Sequence, residues 1–134
     1  MVDARGVPLS LIVTGANQPD VTRAVALLDC ARRTPPRRGG VICADKGYDS
    51  AALRGALRTR GLTPSIPHRA NQRRRGRPPP AYRRHRWVVE ATHGWLTRFR
   101  KLLVRYEKTL ASYRALLQLA CAIIVWRKVG VIYG

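Results

Sequence analysis

Acidic residues are scarce in this chain of 134 residues: seven Asp and Glu stand against twenty-six Lys and Arg, a formal charge of +19 and a pI near 11.6. A compact body with this excess repels itself unless a polyanion neutralises it, which makes nucleic acid the leading partner class and anionic membrane the weaker one. Long apolar runs are also lacking. The strongest, Ala115 to Trp126, is too short to cross a bilayer and reads as a buried helix, so no membrane partner is expected. Met1-Val2-Asp3-Ala4-Arg5-Gly6 has no apolar signal core, so the expected compartment is the cytoplasm. Cysteine is limited to Cys30, Cys43 and Cys121. Their odd number and wide spacing argue against a disulfide framework and a zinc site, leaving reduced packing residues.

A chain of this length, 46% hydrophobic, can bury one modest core, so residues 1–134 are expected to form a single domain. Asp3-Ala4-Arg5-Gly6 reads as a hairpin turn whose first strand is nearly absent, and Val7 to Thr14 as the strand that follows it. A chain that starts inside a hairpin is expected to be a truncated domain. After Pro19, apolar residues Val21, Val25, Leu27 and Leu28 recur at helical spacing, with Asp20 or Thr22 placed to cap. Val41 to Ala44 is a short apolar run of the kind found in strands covered on both faces. Asp49 or Ser50 can cap a helix from Ala51 to Arg60 that Gly61 ends, and Leu62 to Ile66 allows one more short strand. Strands alternating with helices predict an α/β layered domain.

From Arg69 to Arg86 there are eight arginines, three consecutive prolines and no acid. Such a stretch cannot bury apolar surface, and a basic mobile loop is expected at about 69–82. Arg73, Arg74, Arg75 and Arg77 are its densest part and suit contact with a phosphate backbone, independent of base sequence. Val88, Ala91, Trp95, Phe99 and Leu102 form an apolar stripe on a helix predicted over Arg83 to about Arg105, and a second helix is predicted from about Leu110 to Lys128.

With so few acids, their positions carry information. Asp45 follows a predicted buried strand, where open α/β sheets place ligand-binding groups. Glu90 lies beside the apolar stripe, with Arg86 one turn earlier and Thr97 two turns later on its face. Phosphoryl transfer needs charge compensation at the attacking and leaving oxygens, which carboxylate-held Mg²⁺ ions supply. Two carboxylates alone also fit a bland reading, in which Glu90 simply pairs with Arg86.

The wording around both acids is informative. Ala44-Asp45-Lys46-Gly47-Tyr48-Asp49 and Arg86-Trp87-Val88-Val89-Glu90 resemble two signatures of bacterial insertion-sequence transposases with a ribonuclease-H-like DDE core. Val2 to Leu9, Thr14 to Asn17, Gly94 to Arg100 and Arg105 to Glu107 resemble that family's C-terminal half in matching order. The resemblance spans nearly the whole chain. It implies an incomplete ribonuclease-H-like α/β fold with a hairpin remnant, two or three short strands and a C-terminal helical pair. It implies DNA binding with Mg²⁺- or Mn²⁺-dependent strand cleavage and transfer, on double-stranded DNA of element ends and target. Asp45 matches the second catalytic aspartate, Glu90 the catalytic glutamate, both metal ligands, and Arg86 the arginine four positions before it. Arg83 and Thr97 stand where the family has tyrosine and lysine. Nothing matches the first aspartate, since Asp3 lies in a turn and Asp20 follows the next strand. The isolated chain is therefore expected to be inactive unless an upstream polypeptide, or a fused product of a shifted reading frame, supplies the absent strand; an upstream transposase half or a homo-oligomer is the expected protein partner. Arg83, Arg84, Lys46 and Arg98 join the expected DNA contacts.

The alternative is a non-catalytic basic nucleic-acid-binding protein or a degenerate transposase remnant. His93, three residues after Glu90, resembles half of a di-iron Glu-x-x-His pair, but that site needs a second copy and more acids. His68 and His85 are read as solvated or phosphate-contacting. Trp87, Trp95 and Trp126, in apolar neighbourhoods at helical spacing, are read as core. A glycosidase pair of Asp45 and Glu90 leaves the arginine excess unexplained.

Overall fold

The computed structural model describes residues 1–15, 17–31, 36–69 and 80–133. They fall into two compact units, residues 10–86 and residues 1–9 with 87–134.

The unit of residues 10–86 is built around one strand–helix–strand crossover. A 3₁₀ turn, Asp20–Arg23, leads into α1, Ala24–Cys30. Strand β1, Val41–Cys43, and strand β2, Thr63–Ser65, pair in parallel, with Ile42 opposite Pro64. Between them lie a second 3₁₀ turn, Lys46–Tyr48, and helix α2, Ala51–Thr59. Helix α2 starts where predicted because Ser50 accepts the Leu53 N–H at 3.5 Å, and it buries Leu53 and Leu57, one turn apart. It stops at Gly61, whose φ of +69° suits a residue without a side chain. The Gly61 N–H donates to the Arg58 carbonyl at 2.9 Å and the Leu62 N–H to the Leu57 carbonyl at 2.9 Å, the two bonds of a Schellman cap. Leu53, Leu57, Leu62, Ile66 and Ala24 form the core, with Val21, Ile42 and Tyr48 packed against it.

Three expectations need correction in this unit. Val7 to Thr14 is not a ladder strand: only Pro8 pairs, as a lone antiparallel bridge to Val2. A β-branched run becomes a strand only where a neighbouring strand pairs with its N–H and C=O groups, and beyond Leu9 no ladder is formed among the described residues. Strand β1 is not covered on both faces, since Val41 is 50% exposed and the sheet has two strands. Neither Asp20 nor Thr22 caps the first helical turn; the Thr22 hydroxyl instead donates to the Pro19 carbonyl at 2.7 Å.

In the other unit the predicted hairpin turn is present. Asp3 Oδ1 accepts the N–H groups of Arg5 and Val7, each at 2.8 Å, and Gly6 takes φ +82°. Helix α3, Pro80–Thr97, begins three residues earlier than the predicted start at Arg83, on a proline whose missing N–H is not needed in a first turn. It ends earlier than predicted: Phe99 is extended, and a separate single turn, α4, spans Arg100–Leu103. Thr109 Oγ1 accepts the Ser112 N–H at 3.1 Å, starting α5, Leu110–Tyr133. Val88, Ala120 and Ile124 are buried here, but Trp87 (61%) and Trp126 (80%) are exposed, so two of the three tryptophans read as core are not. Helix α5 likewise exposes Leu119, Val129 and Val131. Among the described residues no helix is long and apolar enough to cross a membrane.

Candidate functional site

Asp45 lies just beyond the C-terminal end of β1, where the chain leaves the sheet and turns into the 3₁₀ segment. It is exposed, and its Oδ1 accepts the Gly47 N–H at 2.7 Å. That contact explains the glycine, because a Cβ at position 47 would lie 2.9 Å from the same oxygen. Burial, then the Asp20 and Asp45 carboxylates, push the neighbouring Tyr48 phenol above its ordinary value.

Four residues on, Asp49 has the opposite environment. Its carboxylate is 3% exposed. Oδ1 accepts Arg54 Nε at 3.0 Å and Nη2 at 2.7 Å, Oδ2 accepts the Arg69 main-chain N–H at 3.0 Å, and His68 Nδ1 lies 3.4 Å from Oδ2. Burial pushes this carboxyl up, but the Arg54 and Arg69 hydrogen bonds and the nearby cationic charge outweigh it and hold the group below its ordinary value. Arg69 also reaches back to the turn, donating from Nε to the Lys46 carbonyl at 3.3 Å and from Nη2 to the Gly47 carbonyl at 2.9 Å. Sequence reading took Asp49 as a possible cap and Arg69 as the first residue of a DNA loop. The one available signal was an acid beside a cap with an arginine five residues later in the helix.

Glu90 is exposed on α3. Arg86 lies on the same helix, but its side chain, like those of Arg83 and Arg84, is outside the described set, as are Arg73, Arg74, Arg75 and Arg77 entirely. Lys46 is exposed beside Asp45. Arg98 lines a groove of about 380 Å³ with Trp95, Phe99, Ile124, Arg127 and Lys128. Lys128 Nζ sits 4.3 Å from the Trp95 ring centre, a cation–π contact. Arg127 and Lys128 carry no local signal of function, because they follow a long apolar stretch of α5.

Among the described residues no three His, Cys, Asp or Glu side chains gather as a metal-binding group. Asp45 offers a hard, exposed oxygen of the kind Mg²⁺ and Mn²⁺ take, but the described donors do not complete a cage.

Asp45 thus stands exposed beyond the carboxyl end of a parallel strand, where α/β sheets place ligand-binding groups. Residues 1–125 match the Transposase DDE domain family, and the chain belongs to that family. It is 42% identical over 132 residues to a protein of Burkholderia cepacia named as a transposase for insertion sequence element IS402, covering 94% of this chain and 60% of that protein. It is 30% identical over 126 residues to a protein of Brucella ovis named as a transposase for insertion sequence element IS6501, covering 92% of each. The chain thus spans less than two thirds of the first relative's length and nearly all of the second's. No solved structure matches it.

Proposed function

We propose that the chain works in DNA transposition, binding the duplex of element ends and target and supplying Asp45 and Glu90 as two of the carboxylates that hold Mg²⁺ or Mn²⁺ for strand cleavage and transfer. The observation that carries this reading is the family match over residues 1–125 together with an exposed Asp45 at the end of a parallel strand. Asp45 and Glu90 would hold the divalent ion, which when bound would supply charge compensation for the oxygens of the reacting phosphodiester. The chain's own residues have other tasks. Asp45 and Glu90 present oxygens, Arg86 orients Glu90 or contacts DNA, and Lys46, Arg83, Arg84, Arg98 and the arginines at 73–77 hold the backbone. The ribonuclease-H-like fold and action at the cytoplasmic nucleoid belong to the same proposal.

Two matched carboxylates are one short of the family's three. The 134 residues expressed alone therefore bind DNA without cutting it, and cleavage needs further polypeptide, an upstream transposase half, that brings the remaining aspartate. Two assays on the isolated chain test this. Duplex affinity should fall steeply with salt, and no metal-dependent nicking of DNA should occur. Salt-insensitive binding would remove the electrostatic basis of the reading, and metal-dependent nicking lost on Asp45→Ala would overturn the claim of inactivity.

A further inference from the structure

Arg69 opens the arginine-rich stretch, and charge alone would assign it to DNA, but its donors are used inside the protein. The main-chain N–H donates to Asp49 Oδ2 at 3.0 Å, and the guanidinium donates to the Lys46 and Gly47 carbonyls at 3.3 and 2.9 Å. Asp49 is held in turn by Arg54 of α2, whose Nη2 also reaches the Ile66 carbonyl at 2.7 Å. Helix α2 is fixed by the buried Leu53 and Leu57. On the far side of the turn, the Gly47 N–H donates to Asp45 Oδ1 at 2.7 Å. A continuous line of contacts therefore runs from the core helix through Arg54, Asp49 and Arg69 to the turn that carries Asp45.

We propose that Arg69, seated on Asp49, is a positioning residue: it braces the Lys46–Gly47 turn from outside and so aims the Asp45 carboxylate. A three-residue 3₁₀ turn has poor hydrogen-bond geometry and little rigidity of its own. A planar guanidinium can hold two adjacent carbonyls at once, which an ammonium on a flexible stem does poorly. The functional weight of the brace rests on Asp45 being a metal ligand; the brace itself does not.

Arg69 is exposed, so replacing its side chain keeps the core and the main-chain bond to Asp49. Amide hydrogen exchange in the 134-residue chain reads the result. Arg69→Ala and Arg69→Lys should each speed Gly47 exchange about three- to tenfold. The Leu57 and Leu62 amides should stay at wild-type rates, and duplex affinity should change by less than about twofold. Unchanged Gly47 exchange in Arg69→Ala overturns the proposal, and unchanged exchange with weakened DNA binding returns Arg69 to a phosphate contact. Restoration by Arg69→Lys would show that charge suffices and would sink the two-carbonyl brace. A separate arm adds Mn²⁺ and follows paramagnetic broadening of Lys46 and Gly47. Faster exchange in Arg69→Ala with no Mn²⁺ broadening in the unsubstituted chain would support the brace while removing Asp45 as a ligand, so the two ideas fail separately.

Discussion

Two aspartates four positions apart carry the same charge and hold opposite posts. Asp45 is exposed with one oxygen on its own turn, whereas Asp49 is buried and satisfied by Arg54 and Arg69. Because Asp49 is held below its ordinary value of 3.8, the unfolded chain binds the proton more readily than the folded one, so this contribution rises with pH. It is fully present above the ordinary value and lost as pH falls through the depressed one. Asp49→Asn should lower stability at neutral pH by about 1–3 kcal/mol, the cost of leaving the Arg54 and Arg69 donors short of a charged acceptor. It should also flatten the acid limb of a pH series of urea melts; an unchanged limb would count against the pairing. The cysteines separate in a similar way. Burial pushes the Cys43 and Cys121 thiols up, while Cys30 is exposed, so a thiol reagent at neutral pH should label Cys30 first. Equal rates at all three would contradict this burial pattern, which also corrects the expectation that all three are packing residues. At this scale the sequence announced Asp45, because a polar residue directly after an apolar run is a local signal. The environment of Asp49 is set by Arg54, five residues on, and completed by Arg69, twenty residues away, and only the first of these leaves a local pattern.

Elements followed local chemistry where local chemistry suffices. Helix α2 was legible because its cap, its two buried leucines and its terminating glycine lie within a dozen residues. Leu57 is 0% exposed, so Leu57→Ala should cost about 2–5 kcal/mol in denaturant melts; a loss below about 1 kcal/mol would deny it a core position. The expected strand Val7 to Thr14 failed for a reason outside itself, since a strand requires a partner. Its turn was nevertheless legible, and Gly6 is its critical residue. A Cβ there would lie 3.0 Å from Thr92 Oγ1 and 3.1 Å from the Trp95 ring, on a backbone at φ +82°. Gly6→Ala should therefore destabilise the unit of residues 1–9 and 87–134 by about 1–3 kcal/mol, with a neutral or stabilising effect contradicting the packed turn. In α5, Ile124→Ala should cost about 2–5 kcal/mol, while Trp126→Ala, at 80% exposure, should stay within about 0.5 kcal/mol. Periodicity found both that helix and its buried side, since Tyr113, Leu116, Leu117, Ala120, Ile123 and Ile124 recur at helical spacing and are all buried or half-buried.

For the molecule as a whole, the balance of charge was legible from composition alone. A net +19 predicts duplex binding that weakens by orders of magnitude, on the order of 10³ or more if about six phosphates are engaged, between 50 and 200 mM salt. Family membership was legible too, because the words around Asp45 and Glu90 recur in order over nearly the full chain, in keeping with the match over residues 1–125. The completed metal cage was not legible, since the described residues gather no three ligands. The most direct test of the account is Mn²⁺ affinity of the 134-residue chain, measured by titration for the unsubstituted protein, Asp45→Asn and Glu90→Gln. The account predicts that each substitution, in a chain whose melting is unchanged, weakens Mn²⁺ binding at least about tenfold. An affinity left intact by either one would contradict the assignment of these two carboxylates to a transposase metal site.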